Sequence, residues 1–377
     1  MNKPNIDLIL MSTLNCNLAC DYCYVSDKKK EFMDLSLAKN AIDQVLEIND
    51  PARATNIFWH GAEPLLVGID FYKEIFSWTR QKYGIDNVCH HIQTNGTLLN
   101  EDWFNLFIKE HITTGISLDG PKIIHDAHRK KQNGTGSFDT VFTNILKARE
   151  KKLFFDALVV ISRETLGHED ELFNFFYENR IEFGFEPIVV DRAENNQDLA
   201  ITPEEYANSA IRLFDRWFFQ PEPRLKMILP LYDFTMSIMY GKNTRCTFSP
   251  SCGRHYLTIA PDGSVYPCVR FGGESNFIFG NIKNDPLKSI LISDRRMEFL
   301  KTRTETISTC RICNWRNICN SGCPHNAYTT FGTTHERDSF CTSYKLIFDH
   351  VSRQVTNGLG IPIEAGAGMG NQHRKNG

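Results

Sequence analysis

Residues 6–24 read IDLILMSTLNCNLACDYCY, and the rest of the chain is best interpreted from this stretch. An apolar run with strand character is followed closely by Cys16, Cys20 and Cys23, a C-x3-C-x2-C triplet. Three thiolates on one tight loop can hold a cubane [4Fe–4S] cluster by three of its four irons, which leaves the fourth iron without a protein ligand. Soft sulfur donors select iron–sulfur or zinc over hard cations. An open coordination position marks a site that does chemistry. A zinc knuckle with its fourth ligand elsewhere is the structural alternative.

Downstream of the triplet, short β-branched or aromatic runs alternate with helical patterns. IDLILM, TNIFWH, VCHHIQT, TTGISLD, FFDALVVI and IEFGFEPIVV read as strands. The helices between them start at Ser36, Asn100 and Ser137, which are good N-cap residues. Such repetition predicts parallel strands joined by right-handed crossovers and covered by helices. The expected fold class is α/β, a partial (β/α)6 TIM-like barrel, because a full eight-fold barrel takes ~250 residues. The barrel is expected over residues 1–220, a proline-rich bridge over 221–245, a cysteine-rich domain over 246–350 and a disordered tail over 351–377.

Composition narrows the class. The chain has 377 residues, 41% hydrophobic and 23% charged, with a net charge of −3. Charge therefore gives no reason to expect nucleic acid or a membrane as partner. No apolar run approaches the ~20 residues of a membrane span, and MNKPN is no signal peptide. Twelve cysteines without a secretion signal read as metal ligands in a reducing cytoplasm. Eight of them lie between Cys246 and Cys341: Cys246, Cys252, Cys268, Cys310, Cys313, Cys319, Cys323 and Cys341. A segment with so little continuous core is expected to be held together by metal. Cys89 in the third strand is expected to be a core thiol.

The triplet resembles the signature of the radical S-adenosylmethionine (SAM) enzymes. In that superfamily the open iron chelates SAM, and the reduced cluster cleaves it to a 5′-deoxyadenosyl radical. The resemblance implies SAM contacts from Tyr22, from Ala62 and Glu63 in the WHGAEP turn, and from Ser117, Arg129 and Leu158. Ala62 replaces the second glycine of the family's GGEP turn. An arginine suits the SAM carboxylate because its planar fork binds bidentately. The bland alternatives are a solvated Glu63 and Arg129, a core Leu158 and a Tyr22 that only caps the cluster. The eight downstream cysteines resemble the SPASM extension, which implies two auxiliary [4Fe–4S] clusters and three clusters in all. By that resemblance Cys246, Cys252, Cys268 and Cys323 hold the first auxiliary cluster, and Cys310, Cys313, Cys319 and Cys341 the second. A zinc ribbon on Cys310, Cys313, Cys319 and Cys323 stays open at this point.

Enzymes of this kind mostly modify peptides or proteins and take electrons from an external donor. Length and cysteine spacing are similar to the anaerobic sulfatase-maturating enzymes, which oxidise Cys or Ser to formylglycine. Those relatives carry an aspartate base directly after the third auxiliary cysteine, where this chain has Val269. FWHGAEPLLVG and SLDGPKIIHDAHRK look instead like maturases of ribosomally made peptides. The leading expectation is therefore oxidative cross-linking of an aromatic ring to a β-carbon (a cyclophane) in a small precursor peptide. Sulfatase maturation, thioether formation, epimerisation and quinone-cofactor maturation are the alternatives, and a multi-cluster electron carrier is the non-enzyme one. With the first strand near Ile6, no fused leader-binding domain is expected.

Overall fold

In the computed structural model, residues 5–25, 28, 30–189, 197–241, 245–250, 252–301 and 303–359 are described. Their strands are β1 Asp7–Met11, β2 Thr55–His60, β3 Val88–Thr94, β4 Thr113–Ser117, β5 Phe155–Ile161, β6 Phe183–Pro187, β7 Ile228–Leu229, β8 Tyr256–Ile259, β9 Ser264–Tyr266 and β10 Gly280–Asn281. All six expected strands are present, and the α/β class is as the pattern implies. The chain divides into two compact units.

The first unit comprises Met1–Leu118, His125–Asp156 and Gly253–Lys301. Here β1 pairs in parallel with β2, β2 with β3 and β3 with β4. The other side of β1 pairs in parallel with β8, which continues antiparallel into β9 and then β10. This hairpin gives part of the cysteine-rich segment an apolar anchor besides any metal. Leu257, Ile259 and Val265 are fully buried at the sheet edge and form an apolar anchor. Alternation places Leu8, Leu10, Ile57 and Trp59 on the buried face. Helix Leu35–Ile48 covers that sheet with Leu37, Ala38, Ala41, Ile42, Val45 and Ile48, an i, i+3/i+4 stripe. Its N-cap is Asp34 rather than the expected Ser36, which lies inside the first turn. Asn100 does cap its helix, its side chain accepting from the N–H groups of Asp102 and Trp103. Ser137 stands at a helix start but caps nothing, because its hydroxyl is committed to Arg129 and His125.

The second unit comprises Asp119–Ile124, Ala157–Cys252 and Thr302–Gly377. It holds the parallel strands β5, β6 and β7, of which β7 comes from the expected bridge. Helix Pro203–Phe218 opens with a capping box between Thr202 and Glu205. Helix Cys341–Leu359 runs past Val351, and Val351 and Val355 are buried. The rest of the expected disordered tail lies outside the described residues.

Candidate functional site

In the first unit the cysteine triplet leaves the carboxyl end of β1 as a loop pinned from two sides. Its backbone pairs with a neighbouring turn through Ala19 N–H to Lys130 O at 2.8 Å and a bridge between Leu18 and Lys131. On the other side Glu63 N–H donates to Asn15 O at 3.0 Å. Cys16 Sγ accepts from Leu18 N–H at 3.4 Å and from Asn95 Nδ2 at 3.8 Å. Burial pushes the Cys16 thiol up, and the nearby Glu63 adds to the rise.

Glu63 joins three segments. Its carboxylate is fully buried and accepts from Thr94 Oγ1 at 2.8 Å, Asn95 N–H at 2.7 Å and Leu65 N–H at 3.1 Å. Burial pushes its carboxyl up to about 7, against those three hydrogen bonds. The side chain is therefore not a solvated strand-end acid; it organises the ends of β2 and β3. Next to it, Gly61 adopts φ +120°, and a Cβ there would press on Met11 at 3.3 Å, so glycine suits this turn. Ala62 is half-buried in the same turn.

Ser117, half-buried at the end of β4, accepts from Gln93 Nε2 at 3.2 Å. Gln93 lies over Gly115, where any Cβ would meet its Oε1 at 2.0 Å. Arg129 is buried, and its guanidinium lies 5.5 Å from the centre of the Tyr22 ring. Tyr22 also packs against His128 with ring centres 5.1 Å apart, and His128 Nδ1 bonds Asp21 at 2.7 Å. The backbone carbonyl of Arg129 accepts from Ser137 Oγ at 2.7 Å. The sequence reading passed over Asn95 and Gln93, although both lie in the IQTNGTLL run at the end of β3. Cys268 and Val269 also belong to this unit, and the Tyr24 hydroxyl is pushed up by burial and by Cys23 and Cys268.

In the second unit Leu158 sits half-buried on β5, on the face opposite the buried Ala157 and Val159. Here Cys310, Cys313, Cys319 and Cys341 line one pocket together with Trp315 and Tyr344. Cys323 is not in that lining. Burial holds the Cys319 and Cys341 thiols up, with the neighbouring thiols adding to the rise. Cys246 opens a short turn, Cys246–Phe248, whose last carbonyl accepts from Asn320 Nδ2 at 2.9 Å. Cys89 is half-buried rather than a core thiol.

Among the described residues, no three His, Cys, Asp or Glu side chains are arranged to hold a single metal ion. The soft donor set and the spacing fit iron–sulfur clusters.

Comparison with known proteins agrees with this chemistry. Residues 10–176 match the radical SAM superfamily, and residues 246–314 match the iron–sulfur cluster-binding SPASM domain. A cysteine-type anaerobic sulfatase-maturating enzyme of Clostridium novyi is 31% identical over 360 residues, covering 93% of this chain and 96% of that protein. A serine-type counterpart from Bacteroides thetaiotaomicron is 30% identical, covering 89% of this chain and 87% of its own. The solved structure of native anSMEcpe with bound AdoMet and the Cp18Cys peptide superposes with a TM-score of 0.85 at 25% identity, covering 95% of this chain and 99% of that one.

Proposed function

Because the chain belongs to the radical SAM family that carries a SPASM domain, alongside the anaerobic sulfatase-maturating enzymes, we propose that it oxidises a cysteine or serine side chain of a polypeptide to formylglycine. The observation that carries this reading is the end-to-end similarity to two such enzymes. It reverses the order reached from sequence, since nothing in the comparisons supports cyclophane formation.

When bound, the cluster and SAM supply a 5′-deoxyadenosyl radical that removes a hydrogen atom from the substrate β-carbon. In this proposal Cys16, Cys20 and Cys23 hold the SAM-binding cluster. Arg129, already buried and oriented by Tyr22, binds the SAM carboxylate. The Glu63 network fixes the turn that includes Ala62, whose backbone polar groups would bind the methionyl amine. Ser117 and Leu158 contribute the remaining contacts by resemblance. Cys310, Cys313, Cys319 and Cys341 hold one auxiliary cluster, a reading supported by their shared cavity. Cys246, Cys252, Cys268 and Cys323 hold the other by resemblance. A cluster held by either set of four cysteines would supply the acceptor for the second electron that this oxidation removes, and an external donor would supply the electron needed at Cys16, Cys20 and Cys23.

Val269 favours a second reading, because a valine cannot take the proton that the aspartate of those relatives takes. In that reading the chain performs another two-electron oxidation, such as a cross-link in a small precursor peptide. The test is anaerobic incubation of the reconstituted chain with SAM, reductant and peptides bearing Cys or Ser. Formylglycine exchanges sulfur for oxygen with loss of two hydrogens from Cys, or loses two hydrogens from Ser, and reacts with a hydrazide. Loss of two hydrogens without a trappable aldehyde supports the cross-link; an unmodified peptide beside abundant 5′-deoxyadenosine counts against formylglycine formation.

A further inference from the structure

Asp338 is 1% exposed and stands three residues before Cys341. Its Oδ2 accepts the backbone N–H of Cys323 at 2.7 Å and the Tyr344 hydroxyl at 3.4 Å. Oδ1 accepts Phe340 N–H at 2.8 Å, and Asn326 Nδ2 reaches both oxygens at 3.1 Å. Every one of these groups donates, which is the environment of an ionised carboxylate. The backbone of the same residue is also engaged at both ends. Asp338 N–H donates to Ser321 O at 3.0 Å, and Asp338 O accepts from Cys341 N–H at 3.0 Å.

The loop facing this residue holds one non-glycine residue, Ser321, in a conformation that its own type does not favour. Asn320, Ser321 and Gly322 hold φ of 50°, 70° and 71° in succession, a left-handed run that L-residues other than glycine rarely adopt. A Cβ on Gly322 would come within 2.4 Å of the Asp338 Cβ. Arg303 closes the other side, donating from Nη1 to Gly322 O at 2.9 Å and from Nη2 to Glu336 O. One buried carboxylate thus anchors the segment from Cys319 to Cys323, and its backbone anchors Cys341.

We propose that Asp338 is a positioning residue shared by both auxiliary clusters, fixing Cys323 of one and Cys341 of the other, and that its charge lowers the reduction potential of the cluster beside it. The proposal rests on the ligand reading above. Partners behind metal ligands typically carry 10–100-fold in metal affinity, and cluster potentials respond to local charge and hydrogen bonding. A carboxylate opposes the extra electron of a reduced cluster, so removing its charge makes reduction easier.

The test compares the reconstituted full chain with Asp338→Asn and Asp338→Ala. Iron retention is measured against a chelator, and potentials by EPR-monitored redox titration. The cluster of Cys16, Cys20 and Cys23 serves as internal control. Asp338→Ala should lose auxiliary iron about 10–100-fold more readily, while Asp338→Asn should keep more iron and shift an auxiliary potential upward. The control cluster should not change in either. Asp338→Asn with unchanged iron retention and potentials overturns the proposal even if Asp338→Ala fails to fold. A wild-type chain without auxiliary iron overturns the ligand reading and the proposal with it, a result separable by iron content alone.

Discussion

The cysteine triplet and the four-cysteine cavity use the same ligand atom in opposite settings. Around Cys16 the neighbours are polar: Asn95 donates to its sulfur, and the buried Glu63 lies close enough to raise its thiol. Around Cys310, Cys313, Cys319 and Cys341 the lining has a fourth thiol, the rings of Trp315, Tyr344 and Phe348 and the cationic Arg316, Arg337 and Lys345. Three thiols among hydrogen-bonding groups suit a cluster that must also bind a small polar ligand. Four thiols can ligate all four irons and leave no open position, which suits a cluster that only exchanges electrons. On the proposed function, the contrast sets SAM chemistry at the triplet and electron handling at the four-cysteine lining.

The largest effect that could break this contrast is expected at the triplet. Cys20→Ala should reduce 5′-deoxyadenosine formation to the uncatalysed background, measured by anaerobic chromatography. Next is Arg129→Ala, which removes a charge-assisted hydrogen-bonding group worth roughly 1.5–3 kcal/mol. Equilibrium dialysis should show SAM binding weaker by about 10–150-fold, with Arg129→Lys recovering part of it.

Glu63 gives a subtler separation through pH. Its carboxyl is raised from 4.5 to about 7 in the folded chain. A raised pKa contributes stability that is complete below the unfolded value and is lost as pH rises through the folded one. Between pH ~4.5 and ~7 the chain should therefore lose up to about 3 kcal/mol from this group, at 1.36 kcal/mol per unit. Denaturant titrations of the chain and of Glu63→Gln should converge or cross as pH rises; parallel curves would contradict the assignment. Smallest is Asn100→Ala, which should cost about 1 kcal/mol through the lost helix cap and leave cluster spectra unchanged.

Much of this architecture was legible in the sequence, for identifiable reasons. Strands β1 to β6 are long enough to show an apolar pattern, and thiol spacing is a local property. Strands β7 to β10, of two to four residues, show none and are specified by their partners: β7 by β6, and β8 by β1. Asp34 took the cap expected of Ser36 because the helix begins one residue before it. Asn95, Gln93 and Asp338 act through space on residues far away in sequence, so no spacing reveals them. Glu63 was visible as a candidate, but only the buried donors from Thr94 and Asn95 show what its carboxylate does.

The division of labour between the two regions is tested most directly by counting 5′-deoxyadenosine against modified peptide in a single anaerobic reaction, for the intact chain and for Cys319→Ala. The intact chain should form the two in proportion. Cys319→Ala should still release 5′-deoxyadenosine while peptide oxidation falls to background. Undiminished peptide oxidation in Cys319→Ala would contradict the account.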